Sequence, residues 1–430
     1  METVSSVRAA SPARFGAYLY TQYFSAFNDN VHQMTVSLYL AAASGSHEGE
    51  AGKWQSLVQA SFVLPFILFS ALAGSLADRY NKRSVLITAK WLEVVPMSVS
   101  FLSTFLPPPL RFWGLILGVF LMEVRSAFFS PGKYGILPEI VGPDKLVRAN
   151  GILQMLTMVA IVTGEAMGGL SIRHFRYDMH WTIGLCLGIS IVGSLLAWWI
   201  PAGRPGNAEQ RIRVDPISPI LATLQEMRQQ RVLLITTLML SGFWLVSAIF
   251  RMNIPLFGKN SIGIGPDQTS YLWAVISIGI GAGAALVSLI KGADESMGVV
   301  LPGALGIAAA SMATSVFGRD FWSSAILLGG LGVFAGFYLV PQTALFQERS
   351  PEARRGAYLG VQNFANNVFM LIAAGIYFIL TGPVACSSRS IFLIAGVAFV
   401  VLGVVQAKLI PELLLGGLRT LLTRKGAQAG

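Results

Sequence analysis

Two ionisable residues stand inside long apolar stretches of this chain. Asp29 lies in the run Gln22-Tyr23-Phe24-Ser25-Ala26-Phe27-Asn28-Asp29-Asn30, and Arg251 lies in Phe243-Trp244-Leu245-Val246-Ser247-Ala248-Ile249-Phe250-Arg251-Met252-Asn253. A charge at the centre of a bilayer costs roughly 2.5–3.5 kcal/mol on insertion scales, so an acid and a base kept there are expected to be used. Two uses are open. The pair can line a cavity that accepts a ligand carrying both charges, or it can close a gate that such a ligand breaks. Successive helical residues project about 100° apart, so Asn28, Asp29 and Asn30 cannot all face one cavity. Asn28 or Asn30 is expected to hold a neighbouring helix by hydrogen bonds. Further charges sit in apolar runs. Lys90 and Glu93 are three residues apart and can pair on one helix face. Glu123 and Arg125 cannot reach each other at their spacing, so each needs another partner. Any of these acids, and Glu165, can carry a proton.

The elements that position these charges follow from composition. The chain is 54% hydrophobic and 12% charged, with a mean hydropathy of +0.62. Soluble domains carry about twice that charge fraction. Apolar runs long enough to span a bilayer recur throughout, without strand alternation, so the expectation is an all-α polytopic membrane protein and not a membrane β-barrel. The spacing predicts about twelve helices. In the first half they fall at 15–43, 54–77, 84–106, 110–130, 150–172 and 180–200, and in the second at 232–258, 268–290, 298–317, 321–346, 356–380 and 389–413. Residues 1–200 and 232–430 thus form two six-helix halves, joined by a basic linker, 201–231. In the linker, Ile217, Ile220, Leu221, Leu224 and Met227 have helical spacing, which predicts a short surface helix. Small residues at Gly279, Gly281, Gly283, Gly332 and Gly336 are expected to allow close helix packing.

The formal net charge of +10 comes from Lys and Arg in short loops between apolar runs. That is a signature of topology and of contact with membrane lipids, and no nucleic-acid-binding module is visible. Most of the 31 Lys and Arg fall in loops on the side of the N-terminus. Both termini and the linker are therefore expected to be cytoplasmic. Met1 to Arg14 are polar, and the first apolar run lacks a small-residue cleavage site, so it is expected to be a retained helix. Cys186, Cys386 and the histidines His32, His47, His174 and His180 form no metal spacing. No metal or cofactor is expected.

Six plus six helices with a cytoplasmic linker is the layout of the major facilitator superfamily. The stretch Gly74-Ser75-Leu76-Ala77-Asp78-Arg79-Tyr80-Asn81-Lys82-Arg83 resembles that superfamily's signature loop, Gly-x-x-x-Asp-Arg-x-Gly-Arg-Arg. The resemblance implies a conformational latch made by Gly74, Asp78, Arg79, Lys82 and Arg83. Asp78 is expected to cap or pair at a neighbouring helix end, and Asn81 to take the left-handed turn usually given to Gly. A faint repeat relates Phe129-Ser130-Pro131, ending the fourth helix, to Leu339-Val340-Pro341 in the tenth.

Further blocks narrow the family. Ser25–Asn30, Phe128-Phe129-Ser130-Pro131-Gly132-Lys133-Tyr134-Gly135-Ile136-Leu137-Pro138-Glu139, Leu146–Gly151, Pro341–Arg349 and Val361-Gln362-Asn363 together resemble the LplT family of lysophospholipid transporters. Lys90-Trp91-Leu92-Glu93 resembles a Lys-x-x-Glu of the subgroup fused to an acyltransferase. That enzyme needs His-x-x-x-x-Asp, and His174-Phe175-Arg176-Tyr177-Asp178 has only three intervening residues, so the chain is not expected to be an enzyme. The resemblance implies Asp29, Lys133 and Arg251 as functional charges. The substrate-binding set is then Asp29, Arg251, Lys133, Asn28, Asn30, Gln362 and Asn363, while Lys90, Glu93, Glu123, Arg125 and Glu165 are intramembrane charges open to function. Arg can bind a phosphate through two parallel hydrogen bonds, and an ammonium wants a carboxylate. The implied activity is movement of lysophosphatidylethanolamine and related lysolipids across the bacterial inner membrane to the cytoplasmic leaflet for re-acylation. That leaves room for a cytoplasmic acyltransferase as partner. Two rivals are a proton-coupled exporter of amphipathic drugs or small solutes, and a scaffold that recruits an acyltransferase through its basic linker.

Overall fold

In the computed structural model, the described residues are 12–45, 48–141, 143–201, 215, 217–290, 296–351 and 354–412. Among them the chain is helical, with no strand. Eleven segments are long and apolar enough to cross a membrane. The first helix, α1 (Pro12–Ala43), spans 32 residues, also long enough to cross. It is not one of the eleven because Gln22, Asn28, Asp29, Asn30, His32 and Gln33 lower its hydropathy. The protein is a multi-pass membrane protein.

The chain divides into two compact units, Met1–Tyr39 with Ser61–Pro216, and Leu40–Ala60 with Ile217–Gly430. The first unit holds most of α1 and of α2 (Glu48–Arg79), then α3 (Lys82–Leu92), α4 (Val94–Ser103), α5 (Pro108–Gly135), α6 (Leu137–Ile140), α7 (Pro143–His174) and α8 (Met179–Leu196). The third predicted span is thus two helices meeting at Glu93, which keeps helical angles (φ −64°, ψ −28°). α5 continues through Pro131 to Gly135, beyond the end at 130 that the proline suggested. Neighbouring groups can re-satisfy backbone freed by proline in a membrane helix. In the last turn of α5 the Tyr18 hydroxyl donates to the Lys133 carbonyl at 2.7 Å. Gly164 and Gly168 of α7 bring that helix onto α1: a Cβ on Gly164 would lie 2.6 Å from the Phe27 carbonyl oxygen, and one on Gly168 would lie 2.8 Å from Met34 Cβ.

The second unit contains α9 (Ser218–Met227), α10 (Arg231–Leu256), α11 (Pro266–Ser288), α12 (Val300–Phe317), α13 (Phe321–Arg349), α14 (Arg355–Thr381) and α15 (Ser388–Leu409). Its core runs from Ile235 through Phe243, Phe250 and Tyr338 to Phe392 and Phe399. α11 and α13 pack through glycines: a Cβ on Gly279 would meet the Gly329 carbonyl oxygen at 2.4 Å, and one on Gly336 would meet the Gly283 backbone at 2.8 Å. Gly281 is a correction to the expected packing stripe, because a Cβ there would meet nothing within 4 Å. One residue in two turns points away from the partner helix. The short helix α9 docks Met227, with Ile220 and Leu224, against Leu233, Phe346, Tyr358 and Val361. Residues 202–214 and 216 of the expected basic linker lie outside the described residues. Large exposed apolar side chains, among them Leu102, Phe105, Trp181, Leu289, Trp322 and Ile326, form the surface a bilayer would cover.

Candidate functional site

A buried group of four charges occupies the first unit. It is assembled by α1, the α3–α4 junction and α5. Lys90 Nζ donates to Glu93 Oε2 at 2.7 Å across one helical turn. Arg125 Nη2 lies 2.8 Å from Glu93 Oε2 and 2.7 Å from Asp29 Oδ1. Arg125 is therefore the joint between the two acids, and the four formal charges sum to zero. Glu93 also accepts from Ser25 Oγ (3.1 Å), Asn28 Nδ2 (3.2 Å) and Ser190 Oγ (3.2 Å). A buried carboxylate is tolerable when it is paired and its remaining lone pairs are filled, and Glu93 meets both conditions.

Access divides the group. The side chains of Lys90 and Glu93 are 0% exposed and that of Arg125 is 2% exposed, whereas Asp29 keeps 22%. Asp29 is the one member of the four with an appreciable accessible face. That face opens on a cavity of ≈170 Å³ whose lining includes Gln22, Phe66, Arg125, Ser126, Ser130 and Lys133. Ser126 Oγ stands 3.4 Å from Asp29 Oδ2, and Lys133 Nζ donates to Thr157 Oγ1 at 3.2 Å. The cavity thus combines a carboxylate, an ammonium and a guanidinium with the rings of Phe66 and Phe129. Arg125 also stacks 5.5 Å from the Phe129 ring centroid.

The three consecutive polar residues of α1 have three different tasks. Asn28 bridges to Glu93 and to Ser190 Oγ (2.9 Å). Asp29 faces Arg125 and the cavity, and Asn30 turns back onto the Ala26 carbonyl of its own helix (2.7 Å). Glu123 and Glu165 are both buried. In the second unit, Arg251 lies over the Trp273 ring at 5.7 Å. Gln362 is buried and Asn363 exposed, with its carbonyl accepting from Asn367 Nδ2. Arg251, Gln362 and Asn363 therefore belong to a different unit from Asp29 and Lys133.

The signature-like loop has an anchor. Arg83 Nε and Nη2 donate to the carbonyls of Ile200 (2.7 Å) and Trp198 (2.8 Å), just past the C-terminus of α8. A cation there meets carbonyls that lack helical partners and the negative end of the helix dipole. Asn81 is a second correction: its φ of −60° and ψ of 124° are extended, not left-handed. Its side chain caps α3 by accepting from the Arg83 amide at 2.9 Å, and an N-cap residue takes β-region angles. The Asp78 side chain lies outside the described residues.

Sequence reasoning missed Gln22, Ser126 and Ser130 as cavity residues. Their signal was helical spacing from recognised charges: Gln22 is seven residues before Asp29, and Ser126, Ser130 and Lys133 follow one another at steps of four and three.

A model of the Major Facilitator Superfamily matches residues 19–374. Lysophospholipid transporter LplT of Klebsiella pneumoniae (strain 342) is 31% identical over 372 residues, covering 84% of this chain and 87% of that protein. The same-named protein of Photorhabdus laumondii is 30% identical over 376 residues, with the same coverage. Among solved structures, the inward open xylose transporter XylE from E. coli superposes with a TM-score of 0.66 at 15% identity, over 93% of this chain and 96% of that one. A bacterial homologue of the human drug peptide transporters PepT1 and PepT2 gives 0.68 at 13% identity, over 95% and 100%. At these identities the two structures speak to the fold alone.

Proposed function

The chain belongs to the major facilitator superfamily, and we propose that within it this protein carries lysophospholipids, lysophosphatidylethanolamine among them, across the bacterial inner membrane. The observation that carries the reading is the cavity beside Asp29, where a reachable carboxylate stands with Lys133 and Arg125 against aromatic rings. A zwitterionic headgroup asks for that combination. Relatives about 30% identical over most of this chain and bearing the name lysophospholipid transporter support the choice of lipid.

The headgroup ammonium competes with Arg125 for Asp29. The phosphate meets Lys133, and Arg251 is a further functional cation of the transport cycle. The cavity is smaller than the roughly 300–1,000 Å³ of a pocket for a drug-sized ligand. The headgroup alone fits, and the acyl chain stays against apolar side chains or in lipid, because exposing it to water costs about 0.8 kcal/mol per methylene. Delivery is to the cytoplasmic leaflet, with both termini on that side, where an acyltransferase restores the second chain. Residues 74–83 act as the latch between states, with Arg83 on the end of α8 as its hold.

Uptake of labelled lysophosphatidylethanolamine by spheroplasts tests the site. Asp29→Ala and Arg251→Ala should each abolish uptake while the protein stays folded in the membrane. Near-normal uptake by both variants would overturn it.

A further inference from the structure

Gln22 is 1% exposed and lines the cavity, yet among the described residues neither Nε2 nor Oε1 of its carboxamide has a hydrogen-bond partner. Buried polar side chains are nearly always paired, so both ends of this amide await something that enters the cavity. The charged groups around it offer one kind of bond each. Asp29 as a carboxylate only accepts, and Lys133 and Arg125 only donate. The charged parts of a lysophospholipid are served by those groups: the ammonium by Asp29, the phosphate by Lys133 and by Arg125, whose Nε also has no partner among the described residues. Neither alone can satisfy both ends of the Gln22 amide, because a phosphodiester anion only accepts and an ammonium only donates. The Gln22 amide needs a group that does both.

A hydroxyl does both, and a single-chain glycerophospholipid has one where the second acyl chain would be. We propose that Gln22 reads this free glycerol hydroxyl, Nε2 donating to its oxygen and Oε1 accepting its proton. This makes Gln22 a specificity-determining residue of the transport reaction, and it rests on the lysophospholipid reading above. Esterification removes the donor, so a diacyl lipid would leave Oε1 buried and unpaired. Gln22 is seven residues, or about two turns, before Asp29 on α1, so one helix presents the hydroxyl reader and the ammonium reader on one face.

The test uses the purified full chain in liposomes and two labelled probes: lysophosphatidylethanolamine, and its deoxy analogue with hydrogen in place of the glycerol hydroxyl. A site built to bond a hydroxyl rejects the analogue that lacks it by large factors. The expected result is that the unmodified protein moves the hydroxyl lipid at least about tenfold faster than the deoxy lipid. Gln22→Leu, similar in volume and without polar atoms, should move the two at similar rates by losing speed on the hydroxyl lipid only. Gln22→Asn, with the amide drawn back by one methylene, should keep part of the preference. Equal rates for the two probes in the unmodified protein would overturn the proposal even if every variant failed to fold. So would an undiminished preference in Gln22→Leu, which would leave ordered water as the partner of the amide. Movement of neither probe by the unmodified protein would overturn the transport reading, and this inference with it.

Discussion

Asp29 on α1 and Arg125 on α5 meet at 2.7 Å, and the same guanidinium nitrogen holds Glu93 at 2.8 Å. One cation thus joins an acid open to the cavity to an acid sealed away from it. Any ligand cation that takes Asp29 loosens Arg125 from one acid and leaves it wholly to the other, without stranding a charge.

Arg125→Met should leave Asp29 and Glu93 with Lys90 as the one positive member of the group. Removing one partner of a buried ion pair costs about 3–5 kcal/mol, so a large fall in melting temperature and loss of transport are expected. Arg125→Lys should recover part of the stability but less of the transport, because a single ammonium cannot reproduce the guanidinium's spread of donors across two acids. Thermal unfolding in detergent, read beside lipid uptake, checks both.

Lys90 and Glu93 should be strongly non-additive. Lys90→Met leaves the group one negative charge in excess, and Glu93→Gln leaves it one positive charge in excess. The double variant restores neutrality around Asp29 and Arg125. Groups in contact commonly show coupling of about 0.5–3 kcal/mol. The double variant should melt above the worse single variant, and simple addition of the two losses would contradict the assigned network.

How much of this was legible in the sequence differs by level. The span positions follow from hydropathy, and the pairing of Lys90 with Glu93 follows from their spacing of three. That Arg125 needs partners other than Glu123 was also readable. The identity of Arg125's partners was not, because it depends on which face of α5 packs toward α1 and toward the break at Glu93. Hydropathy does not encode that rotation. Gln22 was hidden for another reason: an uncharged amide in a helix is common, and its weight comes from being buried without a hydrogen-bond partner among the described residues. Asn81 misled because Gly at the equivalent family position suggests a left-handed turn, whereas an Asn can reach the same reversal by capping the next helix.

Gly164→Val should disturb the site without touching a charge. Even its first added carbon would lie 2.6 Å from the Phe27 carbonyl oxygen and 3.0 Å from Asn30 Cβ, so α7 must move away from the segment of α1 that carries Asp29. Overpacking of this kind costs about 1–3 kcal/mol. Reduced transport with a lowered melting temperature is expected, and full activity would show that α1 keeps Asp29 in place without α7.

Arg83→Ala should release the Trp198 and Ile200 carbonyls at the end of α8. The stability loss should be small, about 1 kcal/mol or less, while a latch role demands a larger effect on transport rate. Unchanged uptake with unchanged expression would reduce the loop to a helix cap.

Asp320, before α13, gives a pH prediction outside the spans. Hydrogen bonds from the Ser323 amide and hydroxyl and the Trp322 amide hold its carboxyl below the ordinary value of 3.8. A depressed value in the folded protein means the cap stabilises above the unfolded carboxyl's titration and is lost as pH falls through the folded one. Asp320→Ala should therefore lower the melting temperature at neutral pH, with the difference from the unmodified protein shrinking below about pH 4.

The central claim is that this protein moves single-chain phospholipids by way of the Asp29 cavity. Its most direct test is flipping of labelled lysophosphatidylethanolamine by the purified protein in liposomes, with the diacyl lipid as control and with and without a pH gradient. The account predicts selective movement of the single-chain lipid, lost in Asp29→Ala. No movement of either lipid under either condition would contradict it and leave the fold without the lipid function.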